Sequence, residues 1–149
     1  MNEKMNETIQ KFGYPATEVA TYDHWIVLLR PAQVTLGSLI LAAKSDATAF
    51  PDLPAEAFAE LAQATRDIET ALKAVVEYEK INYLMLMMVD RHVHFHVFPR
   101  YNGEREVRGI DVADAGWPKT PDLGKALTLD AAQTQRLVTC LKEHWPQRG

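Results

Sequence analysis

Residues 92–98 read HVHFHVF, so three of the chain's five histidines fall at i, i+2 and i+4 inside a run of β-branched and aromatic residues. Alternate side chains of a strand point to the same face, which sets His92, His94 and His96 on one side and Val93, Phe95 and Val97 on the other. One face builds core and the other builds a site. At about 3.3 Å per residue the outer two histidines lie roughly 13 Å apart along the strand with His94 between them, a span comparable to a short phosphate chain. Imidazoles, with reference pKa values near ~6.5, donate, accept or attack close to neutral pH.

Three readings compete for this pattern. Surface histidines on a solvated face have no need of strict alternation beside a wholly apolar opposite face. A catalytic zinc site takes three ligands that converge on one ion, and a regular strand holds His92 and His96 too far apart for easy convergence unless a bulge draws the rings together. Contact with a short phosphate chain uses the row as it stands, with no metal and no other cofactor expected. A metal-dependent hydrolase and a non-catalytic nucleotide-binding module are the alternatives.

The chain of 149 residues carries 16 Lys and Arg against 20 Asp and Glu, a formal net charge of −4. Broad neutralisation of a nucleic-acid backbone needs a basic footprint, so a polymer partner is excluded while a small anionic ligand is not. Cys140 is the lone cysteine and cannot form an intrachain disulfide. It reads as a free structural thiol in a reducing compartment. The opening MNEKMNETIQKF is too polar for a secretory signal, and the most apolar run, YLMLMMV at 83–89, is too short to span a bilayer. A cytoplasmic protein with no membrane partner is expected.

The elements around the histidines follow from periodicity. Between residues 54 and 79, Phe58, Leu61, Ile68, Leu72, Val75 and Val76 recur on one side, with Glu60, Arg66, Asp67 and Lys73 elsewhere, predicting a long amphipathic helix. Pro54 suits its first position and Glu56 its positive end. A second helix is predicted over 129–145, with Thr128 as N-cap, Leu137, Val138, Leu141 and Trp145 on its apolar side, and Pro146 ending it. Residues 18–22, 25–29 and 38–43 read as strands of an antiparallel meander. Residues 81–88 are apolar on both alternating faces and predict a central strand, joined to the histidine strand by a tight turn at Val89, Asp90 and Arg91. From 101 to 125 the chain turns polar and glycine-punctuated, predicting a long loop of the functional or mobile kind. The whole chain, 1–149, reads as one α+β domain.

The stretch RHVHFHVFPRY resembles the signature of the histidine triad family, and a weaker likeness extends from the strands near Glu18, through Gly37 and the long helix, to NYLMLMMVDRHVHFHVFPRY. The resemblance implies an antiparallel sheet carrying the long helix on the face opposite the triad, a C-terminal helix, and pairing as a homodimer. It implies hydrolysis or transfer at a nucleotide α-phosphate through a covalent nucleotidyl-histidine, with His94 as nucleophile and His92 and His96 binding phosphate oxygens and managing the leaving-group proton. Which flanking histidine is the acid stays open. The implied substrates are dinucleoside polyphosphates or purine nucleoside phosphoramidates. Three departures stand out: the apolar LMLMM replaces a glycine-rich segment with a polar residue, Ser38 follows Gly37 where some relatives have histidine, and a ribose-binding asparagine would fall near Leu29 or Arg30.

Other residues are weighed on their chemistry. Arg100, released by strand-ending Pro99, is expected to swing freely toward phosphate oxygens, and Ser38 to hydrogen-bond the triad. Trp117 offers a face on which a nucleobase can stack. Arg91 points away from the histidines by register, Asp90 reads as a turn residue, and His24 and His144 read as structural. Met85, Met87 and Met88 read as core filling or a dimer seam.

Overall fold

A computed structural model describes residues 4–147. In chain order it comprises a short helix α1 (Glu7–Lys11), strands β1 (Glu18–Thr21), β2 (Trp25–Leu29), β3 (Ala32–Gln33) and β4 (Leu39–Ala43), the long helix α2 (Ala55–Val76), strands β5 (Lys80–Leu84), β6 (His94–Arg100), β7 (Glu104–Val107), β8 (Ile110–Ala113) and β9 (Leu127–Thr128), and the last helix α3 (Ala131–His144). The main sheet is antiparallel with the order β1-β2-β4-β6-β5. The histidine strand β6 is therefore paired along both edges, by β4 and β5.

Alternation divides the sheet into two apolar faces. Trp25, Val27, Leu29, Leu39, Leu41 and Val97 pack with Ala57, Ala64, Ile68, Leu72 and Val76 of α2 and with Leu137, Val138 and Leu141 of α3. Trp25 closes that layer by donating its indole N–H to the Ala57 carbonyl at 2.7 Å. The long helix lies, as the resemblance implied, on the face opposite the triad. Ile26, Leu28, Ile40 and Ala42 point the other way and meet Met5 and Ile9 of the N-terminal segment. Both faces of β2 and β4 are thus buried, which explains why all five residues of each strand are apolar.

Several sequence expectations are corrected. The apolar 81–88 run is not a central strand: β5 stops at Leu84, lies at the sheet edge, and leaves Met88 and Val89 exposed in a connection running from 85 to 93. An unbroken apolar run does not distinguish a two-sided strand from a strand followed by a surface loop. The presumed long loop contains a separate hairpin, β7 with β8, turned at Arg108 and Gly109, both at positive φ. Asp130, not Thr128, caps α3, in a reciprocal box with Gln133. On α2, Phe58 is 39% exposed and packs on Phe50, whereas Asp67 is buried and accepts hydrogen bonds from Tyr22 and Gln63. A hydroxyl and an amide that reach a buried carboxylate offset its desolvation, so a charged residue sits on the inner face. Among the described residues no helix is long and apolar enough to cross a membrane.

Candidate functional site

His94 and His96 lie on β6, opposite Ala42 and Ile40 of β4, while His92 sits in the connection just before the strand. Pairing continues past the strand's formal start, since Val93 accepts from Ala43 N–H and donates to the Ala47 carbonyl. That ladder holds all three histidines toward the same side, with Val93 and Val97 fully buried on the other. The His94 and His96 rings meet edge to face, 5.1 Å between centroids, and His96 stacks on Phe98 at 6.1 Å.

Each imidazole is anchored through Nδ1 by a different kind of partner. His94 Nδ1 lies 2.7 Å from the His92 carbonyl oxygen, which only accepts, so His94 carries its proton on Nδ1 and leaves Nε2 with a bare lone pair. Nε2 is the one buried side-chain polar atom among the described residues with no hydrogen-bond partner. His96 Nδ1 accepts from Arg30 Nε at 3.2 Å. His92 Nδ1 lies 3.0 Å from the Thr8 hydroxyl, which also accepts from the His92 backbone N–H at 3.2 Å. Burial, then the Arg30 charge and then His94 push the His96 pKa down to about 4, with Asp90 opposing weakly.

The triad is covered. His92, His94 and His96 are 5%, 0% and 6% exposed. The cover is the N-terminal segment: Thr8 holds His92, and the Phe12 ring lies 5.8 Å from His94 and 5.9 Å from His96. Asn6 pins it by donating to the Ala43 and Ser45 carbonyls, and Lys11 pairs with Asp90. A cavity of about 450 Å³ opens beside His92, between Lys4, Glu7, Gln10, Asp46 and Arg91.

The remaining sequence-predicted residues divide. Arg100 does not swing freely: β6 runs through Pro99 to include it, it is 3% exposed, and it grips Asp114 with two bonds of 2.7 and 3.0 Å. It also donates to Asn82 and to the Lys119 carbonyl. Trp117 and Arg100 line one cavity of about 670 Å³ along β5, with Lys80, Asn82 and Lys119. The Ser38 hydroxyl is engaged by Thr35, donating to the Thr35 carbonyl and accepting from Thr35 N–H. Arg91 faces Glu7 at 3.5 Å, and Asp90 binds Lys11 and not His92. His144 contacts the Cys140 carbonyl in the last turn of α3. Met85 and Met87 are partly buried against the core.

Sequence reasoning missed Thr8, Phe12 and Arg30. Thr8 and Phe12 lie in a polar stretch with no periodicity to mark them. Arg30 carried a signal, since it falls where a ribose-contacting asparagine was anticipated, but a departure from a pattern does not say what the substitute touches.

No protein-family model matches the chain, and no curated protein matches it by sequence. Solved structures do. A histidine triad protein from Sinorhizobium meliloti superposes with a TM-score of 0.73 at 22% identity, over 95% of this chain and 96% of that one. One from Bradyrhizobium japonicum gives 0.72 at 21%, over 95% and 97%. A zinc-bound histidine triad family protein from Mycobacterium smegmatis gives 0.57 at 19%, over 91% and 90%. With the antiparallel sheet, the long helix behind it and the three histidines in front, the chain has the fold of the histidine triad proteins.

Proposed function

We propose that the chain is a histidine-triad nucleotide hydrolase or transferase that attacks an α-phosphate with His94 Nε2. The observation that carries the reading is the pairing of a 2.7 Å bond at His94 Nδ1 with an unpartnered Nε2. A carbonyl that fixes the proton on one nitrogen exposes the lone pair of the other, which is how a neutral imidazole becomes a directed nucleophile. His92 and His96 flank the phosphorus and supply N–H donors to its oxygens, a preorganised substitute for external charge. Substrates are dinucleoside polyphosphates or purine nucleoside phosphoramidates, and the working form is a cytoplasmic homodimer. Trp117 stacks on a base or leaving group, and Arg100 and Ser38 act on the ligand only through the groups they hold in place.

Mass spectrometry after brief mixing with an adenylyl donor tests the reading. An added adenylyl group that maps to His94 is expected, and an unmodified protein that nevertheless turns the donor over refutes it. A second reading, a metal-dependent hydrolase, draws on the zinc-bound Mycobacterium smegmatis neighbour. Activity lost to a chelator and restored by zinc would favour it. Among the described residues no three His, Cys, Asp or Glu side chains are grouped to hold an ion.

A further inference from the structure

The two flanking histidines are anchored by chemically different partners. A guanidinium only donates, so Arg30 Nε can share its hydrogen with His96 Nδ1 only while that nitrogen is unprotonated. His96 then carries its single proton on Nε2. A second proton on Nδ1 would break this bond and set an imidazolium against a guanidinium that is itself fixed, by a 2.7 Å bond to the Ala32 carbonyl and by its position 5.5 Å over the Phe98 ring. The charged and titratable groups around His96 are Arg30, His94 and Asp90, of which only Asp90 favours a second charge.

Thr8 imposes no such restriction. Its oxygen already accepts the His92 backbone N–H and keeps both a lone pair and a rotatable hydrogen, so it can meet His92 Nδ1 with or without a proton. His92 also borders the solvent-connected cavity, where Lys4, Glu7, Asp46 and Arg91 supply charge of both signs. Protons can leave and return there, whereas the neighbours of the His96 ring are Phe12, Phe98, His94 and Arg30, none of which accepts a proton from its Nδ1.

We propose that His92 is the general acid and base of the reaction at His94, and that Arg30 is a positioning residue that locks His96 as a permanently neutral Nε2–H donor. The assignment rests on the nucleophile reading above. In the first step, with His92 doubly protonated, the His94 Nε2 lone pair forms a bond to phosphorus, the bond from phosphorus to the leaving amine breaks with its electron pair going to that nitrogen, and the amine takes one proton from His92, which is left neutral with its other proton in place. His94 is left as a phosphorylated imidazolium that keeps its Nδ1 proton on the His92 carbonyl. In the second step water bonds to phosphorus and yields a proton to His92, and the P–Nε2 electron pair returns to His94. Both histidines end as they began. His96 donates to a phosphoryl oxygen throughout and exchanges no proton.

Two donors distinguish the roles: an adenosine alkylphosphoramidate, whose amine must be protonated to leave, and the p-nitrophenyl ester of AMP, whose phenolate departs unaided. His92→Asn should lower kcat/KM for the phosphoramidate about a hundredfold more than for the ester, the size of a general-acid contribution. His96→Asn should lower both alike. The ratio of two rates on one preparation does not depend on how much of a variant is folded. Nitrogen-detected NMR should find His96 as the Nε2–H tautomer from pH 5 to 8, with double protonation entering that range in Arg30→Met and retreating in Arg30→Lys. Selective loss on His96→Asn, an equal loss on His92→Asn, or an Nδ1–H tautomer at His96 overturns the assignment. If wild type forms no adenylyl adduct from the ester, the nucleophile reading itself has failed. An adduct together with selectivity at His96 overturns the acid assignment alone.

Discussion

The Phe12 ring stands 5.8 Å from that of His94 at a tilt of 46°, and the same imidazole buries an Nε2 that has no hydrogen-bond partner. His94 is 0% exposed, so a reagent reaches that nitrogen only when the groups that cover it move. Phe12→Ala is expected to raise the rate of His94 modification by diethylpyrocarbonate about tenfold, the effect of weakening local closure by ~1.4 kcal/mol. Equal rates in variant and wild type would mean that Phe12 does not control access.

His94→Ala should lower turnover by about 10³ or more, because no neighbouring group carries an equivalent directed lone pair. Its thermal stability should change little. The void left by the ring is offset by removal of a buried nitrogen that has no partner, so a loss under about 2 kcal/mol is expected. Denaturant melts set beside kinetics check both halves.

Arg100 and Asp114 form a pair with side chains 4% and 0% exposed. Arg100→Ala leaves the Asp114 carboxylate buried and uncompensated, at about 3–5 kcal/mol. Its activity losses should be the same for polyphosphate and phosphoramidate substrates, since four N–H···O bonds commit Arg100 to protein groups. Replacing both partners, Arg100→Met with Asp114→Leu, should recover most of the stability. A substrate-selective loss in a stable single variant would return Arg100 to the ligand.

His96, held near pKa 4 in the fold, regains an ordinary value of 6.5 when unfolded. Between those values the unfolded chain binds a proton that the folded one does not, so stability rises with pH across the window and is lost as pH falls from 6.5 to about 4. Arg30→Met removes one of the two main causes of the depression. The fall in Tm on acidification should therefore be shallower in the variant; a parallel or steeper fall would show that Arg30 does not repel the His96 proton.

Gly37 has φ +88°, and a Cβ there would lie 3.0 Å from both Leu72 and Val76 of α2. Gly37→Ala should cost about 1–3 kcal/mol in left-handed strain, with the contact to the helix added. Chemical denaturation measures it, and an unchanged midpoint would show that the loop relaxes.

Much of the site was legible in sequence because a strand's two-residue period is local. It alone put His92, His94 and His96 opposite Val93, Phe95 and Val97, and the 3.6-residue period over 54–79 announced the helix behind them. The edge position of β5 was not legible. The order of strands depends on pairings between distant residues, and the apolar run 81–88 looks the same whether its end is buried or, like Met88 and Val89, left on the surface. Arg100 misled for a related reason, since its partner Asp114 arrives on the far side of a hairpin that polar composition concealed.

Composition and spacing by themselves determined the chemistry on offer: three imidazoles in a row, with one apolar face to carry them. Tertiary structure decided what each imidazole can do with it. The Nδ1 partners of His92 and His96 come from Thr8, 84 positions away, and Arg30, 66 positions away. A hydroxyl accommodates either protonation state whereas a guanidinium permits only one, and no local pattern in the strand encodes which of them arrives.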